Sequence, residues 1–423
     1  MNDNKSAVLG IDFGTSNSAV AIMREGKIDY IQLEDGKDTL PTAIFFDFKD
    51  HQMLFGSEAA TSLLEGVEGR YMRALKSVLG TALMREKRMF LGQRLDFYDI
   101  ISAFLVRLKQ AAEVKYCHEF KHVLAGKPVY FHSDDAVKDK QALEDLTECY
   151  KRAGFTHIKF MDEPVAAAYA NVSTQQNRLG LIVDIGGGTS DFCLFKSADD
   201  THKINIIASH GVRIGGTNID KSLSLEYFMP LLGKDSRIKK FMSDGTIIAP
   251  KSIYHDLATW EKIPFSYTHD LKHTVKDLKR QAIEPKLFVR LLNILEEKLG
   301  HELAFIAEDA KIRVNEPNPN MDIIDLGLVE SGLAINTASI DLNAVTTELY
   351  DAIEAGVVET LNKANLCVND IDDVIFVGGT SNLSTVSLAV QNIIKNAKFR
   401  KENLFTAIVD GLAIAGQNAF DEG

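Results

Sequence analysis

Apolar and polar positions along the chain alternate in short blocks of two kinds. Ala7–Ile11 is a brief apolar run, Asp12-Phe13-Gly14-Thr15-Ser16 breaks it, and Ser18–Met23 is apolar again, which predicts strand, turn, strand. From Tyr98 to Tyr116 the apolar residues Ile101, Phe104, Leu105, Leu108, Ala111 and Ala112 recur at helical spacing. A second helix is predicted over Ala136–Ala153, with Gly154 placed as its C-terminal cap. Pro164 suits the first turn of a third, through Val165–Asn171. Then the opening pattern returns: Leu179–Val183 reads as a strand, Asp184–Asp191 as a glycine-rich turn, and Phe192–Lys196 as the next strand. Strands alternating with helices predict an α/β protein.

Set side by side, LGIDFGTSNSAVAI and LIVDIGGGTSDFCLF are two versions of one unit, each an apolar strand ending in Asp, a Gly- and Thr-Ser-containing turn, and an apolar strand leaving. Their separation is close to one lobe's worth of chain, so the pattern predicts a duplicated fold of two similar lobes facing a cleft. From about Glu226 to Ile306 the pattern is polar-amphipathic helix broken at Pro250, Pro264 and Pro285, read as a helical insertion in the second lobe. Beyond it, Asp325–Val329 and Gly332–Ile335 are expected as strands and Ala344–Leu366 as a long helix. Asp373–Val377 is a further strand running into the glycine turn Gly378-Gly379.

Composition narrows the classes. With 423 residues, 45% hydrophobic and 25% charged, the chain can bury a sizeable core, which excludes disorder and a disulfide-stapled miniprotein. A net charge of −12 with no long basic run argues against nucleic acid or an anionic membrane as partner. The four cysteines are dispersed without a CxxC pair, and no apolar stretch approaches the ~20 residues that span a bilayer. MNDNKSAVLG lacks the layout of a signal peptide, so a cytoplasmic protein is expected.

The candidate chemistry lies in the turns. Asp-x-Gly-Thr-Ser after a strand offers a phosphate close backbone N–H groups and hydroxyl donors, and offers Mg²⁺ a carboxylate. Two such turns facing each other could clamp the phosphates of one nucleotide, with Asp12 and Asp184 supplying the metal-binding charge. His118-Glu119-Phe120-Lys121-His122 satisfies the HExxH pattern, but the helix is expected to end near Tyr116, so the two histidines would not share a helical face and zinc is not expected.

Further pieces recur in order: A-L-K-S-V-L-G at 74–80, K-P-V-Y-F at 127–131, D-E-P-V-A-A-A at 162–168, I-G-G-T-N-I-D at 214–220 and D-D-V-I-F-V-G-G at 372–379. With the two glycine turns, they resemble the nucleotide-binding domain of the heat shock protein 70 (DnaK-type) chaperone family, within the actin-like ATPase superfamily. The stretch Met229-Pro230-Leu231-Leu232-Gly233 is also similar to that family's short, YegD-like members. The resemblance implies a two-lobed actin-like ATPase of duplicated ribonuclease H-like fold that binds ATP or ADP with Mg²⁺. Lobe I is expected over residues 1–174, completed by 402–423, and lobe II over 175–401 with its insertion at 226–306. Gly14, Thr15, Ser16 and Asn17 would form the first phosphate loop, and Gly186, Gly187, Gly188 and Thr189 the second. Lys76 would face the γ-phosphate and attacking water, with Glu163, Asp191 and Thr189 completing the catalytic set and Asp12 and Asp184 beside the metal. Pro128 would relay the nucleotide state. Gly215, Gly216, Glu308, Lys311, Asn315, Gly378, Gly379 and Asn382 would surround the rest of the nucleotide.

The match departs from the family on the adenine side. Asn382 stands where an arginine would stack on the base, Asn403-Leu404-Phe405-Thr406-Ala407 stands for N-P-D-E-A, and Asn315 replaces a serine. A full-length chaperone of this family would continue into a peptide-binding β-sandwich, so no built-in site for unfolded peptide is expected in these 423 residues. The leading expectation is a slow, Mg²⁺-dependent ATPase whose lobe closure is read by a protein partner. An ATP-binding switch with negligible turnover, a small-molecule kinase on the same fold and a filament former remain the alternatives.

Overall fold

The computed structural model describes residues 7–171, 178–197, 204–240, 244–316, 322–401 and 403–420. They fall into two compact units, Met1–Gly215 with Tyr350–Gly423, and Gly216–Leu349. The lobe boundary expected at 174/175 lies outside the described residues, as do the expected lobe-completing residues 402 and 421–423.

The first unit contains two sheets built to one plan. The first runs His157–Asp162, His122–Lys127, Val8–Phe13, Asn17–Arg24, Lys27–Tyr30, with Thr39–Pro41 also pairing to Asn17–Arg24. The second runs Lys398–Lys401, Asp373–Val377, Leu179–Ile185, Ser190–Ser197, Ile204–Val212. In both, the central strand pairs in parallel on one side and with its own hairpin partner, antiparallel, on the other. The duplication read from two hairpins therefore extends over both sheets. Each hairpin ladder persists further than the apolar pattern: Asp12 pairs with Ala19 and Asp184 with Asp191, so both acids sit inside strands and not in the turns.

One helix fills the space between the sheets. Glu163–Ala170 carries Pro164 in its first turn and three buried alanines. Ala166 packs with Leu124 and Leu412, while Ala167 and Ala168 pack with Ile182, Cys193, Ile375 and Val377. The C-terminal helix Ala407–Ala419 lies so close that a Cβ on Gly411 would overlap the Ala166 carbonyl. It also covers the first sheet: a Cβ on Gly10 would stand 2.9 Å from the Ala413 nitrogen, and Val409 and Ala413 pack with Ala19 and Ala21. Only small side chains permit these approaches.

A small sheet of Ala43–Asp47, Gln52–Phe55 and Gly69–Arg73, which the hydrophobic pattern did not single out, leads the chain into Ala74, held in the left-handed region at φ 57°. The short 3₁₀ turn Leu75–Val78 follows and carries Lys76. Asp96 caps the helix Phe97–Tyr116, which stops at Cys117 with φ 50°. His118 thus lies beyond the helix end and His122 opens a strand, so the HExxH pair has no common helical face.

In the second unit, Pro250 precedes the helix Lys251–Leu257, Pro264 lies in a short 3₁₀ turn and Pro285 opens Pro285–Glu296. His269–Gln281 and Gly300–Asn315 are its other long helices. The strands expected at Asp325–Val329 and Gly332–Ile335 are instead Ile323–Asp325 and Ala334–Asn336. The Asp325 carboxylate accepts the Gly327 N–H at 2.8 Å and turns the chain out of the extended form there. No described helix is long and apolar enough to cross a membrane.

Candidate functional site

The two glycine turns meet within the first unit. A Cβ on Gly188 would stand 2.9 Å from Thr15 Oγ1, and one on Gly187 would overlap Ser16 Oγ. Backbone bonds hold each loop: the Thr42 N–H donates to the Ser16 carbonyl at 2.8 Å, and the Gly186 N–H to the Thr189 carbonyl at 3.0 Å. Residues 14–17 and 186–189 are half-buried, as suits loops that must reach a ligand. A Cβ on Gly215 would lie 2.7 Å from the Gly186 carbonyl, and Thr380 Oγ1 donates to that carbonyl at 2.9 Å. Gly378 needs its glycine: φ is 79°, and a Cβ would come within 2.6 Å of Asp184 Oδ1.

Beside these loops five ionisable side chains are buried together. Asp12 is 8% exposed, Asp184 3%, Asp191 1%, Glu163 6% and Lys76 7%, so none has more than a trace of water. Lys76 Nζ donates to Glu163 Oε1 across 87 residues of sequence. Asp191 Oδ1 accepts the Val129 N–H at 2.8 Å, which ties the residue after Pro128 to the second hairpin. Among the described residues Asp12 Oδ1 and Asp191 Oδ2 are buried without a hydrogen-bond partner, although the Thr189 side chain lies near enough to favour the charged form of Asp191.

Four carboxyl groups surround one ammonium, and the electrostatics follow. Burial, then the Glu163 charge, pushes Asp12 up to about 7 against the pull of Lys76. Burial and Glu163 push Asp191 up to about 8, although the Val129 N–H opposes them. Burial, with Glu163, Asp191 and Asp12, holds Asp184 well above the carboxylate range. Burial alone would lower Lys76, but Glu163 and Asp12 outweigh it and raise the amine above its ordinary value. A surplus of buried carboxyl groups with unpaired oxygens fits a hard divalent cation. Two glycine-containing turns packed this closely, with hydroxyls between them, fit phosphate.

Of the residues singled out from the sequence, the structure brings together both loops, Lys76, Glu163, the three aspartates, Gly215 and the Gly378–Gly379 turn. Asn382 ends a short 3₁₀ turn and is exposed. Phe405 packs on the glycine turn, 2.9 Å from where a Gly379 Cβ would be. Gly216 opens the first helix of the second unit, Gly216–Leu223. Glu308, Lys311 and Asn315 lie on that unit's helix Gly300–Asn315. Lys311 is buried and paired with Asp220 at 2.6 Å. The sequence reading passed over Arg213 and His132, which line a cavity with Thr15, Lys76, Pro128 and Thr189. Their only local signal was a basic residue just before Ile214-Gly215-Gly216.

The family model for the Hsp70 protein matches residues 8–247 and 294–418. The chain belongs to the Hsp70 family. Hsp70 proteins are nucleotide-binding, chaperone-like ATPases, and the matched residues include both glycine turns and the five buried ionisable groups. A chaperone protein DnaK of Mycoplasmoides gallisepticum is 24% identical over 420 residues, 98% of this chain and 60% of that protein. A DnaK of Mycoplasmopsis agalactiae is 24% identical over 417 residues, 97% of the chain and 58% of its own. A chaperone protein HscA homolog of Rickettsia bellii is 29% identical over 234 residues, 52% of the chain and 37% of its own length. The Hsp70 chain thus spans about three-fifths of the DnaK relatives it matches.

Proposed function

We propose that this chain binds ATP with Mg²⁺ and hydrolyses it slowly to ADP and phosphate, as a nucleotide-dependent switch for a protein partner. The observation that carries the reading is the buried carboxyl surplus beside two facing glycine turns, with one oxygen each of Asp12 and Asp191 left unpaired. Asp12 and Asp184 would hold the ion, whose charge would neutralise the phosphates when bound. The amides of Gly14–Ser16 and Gly186–Gly188 would orient the phosphate oxygens. Lys76, fixed by Glu163, would place its ammonium where charge develops on the γ-phosphoryl group. Asp191, anchored through one oxygen to Val129, has the other available to take a proton from an attacking water.

Thermal shifts with ATP, ADP and GTP, with and without Mg²⁺, followed by single-turnover hydrolysis, test this reading. Wild type should be stabilised by ATP only in the presence of Mg²⁺. Lys76→Ala should lose about 100-fold in the hydrolysis rate while still binding nucleotide. No shift with any nucleotide would refute the reading; equal rates for wild type and Lys76→Ala would leave only a binding switch. Comparing ATP with GTP reads out what Asn382 and Phe405 do to base selectivity.

A further inference from the structure

Lys76 sits in a turn with little of its own to hold it. The turn is a single 3₁₀ segment after the left-handed Ala74, and its internal bonds are Ser77 N–H to the Ala74 carbonyl at 2.9 Å and Leu79 N–H to the Lys76 carbonyl at 3.4 Å. Helical segments this short do not persist without outside contacts.

Those contacts come from side chains. Arg213 Nη2 donates to the Ser77 carbonyl at 2.7 Å, His132 Nε2 lies 2.8 Å from the Leu79 carbonyl, and the Gly80 N–H donates to Asp145 at 2.9 Å. Arg213 Nη1 also lies 2.5 Å from His132 Nδ1 and 3.2 Å from its Nε2. One tautomer satisfies the two shorter contacts: with the proton on Nε2 for the carbonyl, Nδ1 presents its lone pair to the guanidinium. Burial keeps the ring below its ordinary value, in keeping with the neutral form.

The two ends of this strap belong to different copies of the fold. Arg213 directly follows Ile204–Val212, the outermost strand of the second sheet, whereas His132 follows Lys127 and Pro128 of the first. We propose that Arg213, seated on His132, is the positioning residue of Lys76, and that through it the second copy of the fold sets where the lysine ammonium stands. Arg213 acts on the Ser77 carbonyl, one residue from Lys76, and lines the same cavity as Lys76 and Thr189. The inference rests on the role proposed for Lys76, but its physical part, the hold on the turn, can be measured without nucleotide.

The experiment compares wild type, Arg213→Ala, Arg213→Lys and His132→Phe by hydrogen exchange of the nucleotide-free protein and by single-turnover hydrolysis with independently measured ATP affinity. Arg213→Ala and His132→Phe should each speed exchange at Ser77–Gly80 about tenfold while amides of Leu179–Ile185 stay unchanged. Hydrolysis should fall about tenfold with ATP affinity within twofold of wild type, and Arg213→Lys should recover part of the rate. Unchanged exchange at Ser77–Gly80 in both variants overturns the proposal. So does a loss of affinity equal to the loss of rate, which would make Arg213 a binding group. Should wild type show no hydrolysis, the ATPase reading fails, and faster exchange in the variants still supports the strap.

Discussion

In the first hairpin the residue facing Asp12 across the ladder is Ala19; in the second the residue facing Asp184 is Asp191. Nearly everything else corresponds. Four residues bridge the strands in each, from Phe13↔Ser18 in one and Ile185↔Ser190 in the other. Each leaving strand has a buried serine tied to a distant segment, Ser18 Oγ with Thr42 Oγ1 at 2.8 Å and Ser190 Oγ with the Ile214 carbonyl at 2.7 Å. The position opposite the strand-ending aspartate separates two duties. Ala19 joins Ala21, Val409 and Ala413 in docking the C-terminal helix, and Asp191 adds a carboxyl to the acidic cluster. Both copies contribute to the core and to the site; at this ladder position the first copy gives an alanine to helix docking and the second a carboxyl to the cluster.

The sharpest way to break this comparison is to exchange the duties. Ala19→Asp should bury an unpaired carboxylate against Val409 and Ala413 and cost roughly 3–5 kcal/mol, read from urea unfolding midpoints. Asp191→Ala should cost less than Ala19→Asp at pH 8, because relief of the crowded acid cluster offsets the lost bond from the Val129 N–H. Equal destabilisation by both would show that the two positions do the same work.

A smaller effect tests the electrostatics. Burial and the neighbouring Glu163 push Asp12 up to about 7 and Asp191 up to about 8 in the folded chain, from an ordinary value of 3.8. The folded state therefore binds more protons than the unfolded one between those values. Stability from this cluster is complete below about pH 4, declines as pH rises towards 8 and levels off above it. Without divalent cations the melting temperature should fall by about 5 °C or more over that range. Asp191→Asn should flatten the slope, and Mg²⁺ should stabilise more at pH 8 than at pH 6. A slope unchanged by Asp191→Asn would place its source elsewhere. The smallest test is Ser18→Ala against Ser190→Ala: each loses one buried hydrogen bond, so both should cost about 1–2 kcal/mol in the same unfolding assay. A difference well above that range would mean that the serines are not equivalent.

What the sequence made legible was local. Alternating apolar runs with glycine between them announce a hairpin whatever surrounds it, so both loops and the repeat could be read directly. Strand ends were less clear, because Asp12 and Asp184 are polar yet continue the ladder on its buried side. Lys76 was found only through resemblance: its turn has no periodic pattern, and its partner Glu163 is fixed by packing of a helix far along the chain. The Arg213–His132–Ser77 strap left almost no trace, since it joins three segments of no shared pattern. The burial of Lys311 is illegible for the same reason, being set by Asp220 on another helix.

The alanine helix between the sheets acts as a feeler gauge. It meets the first sheet's cluster through Ala166 and the second sheet's through Ala167 and Ala168, and it carries Glu163 in its first turn. A bulkier residue at 166, 167 or 168 would part the sheets and shift the glutamate in the same movement. Stability and the position of the Glu163 carboxylate are therefore coupled along this helix, and a variant library there should move both together.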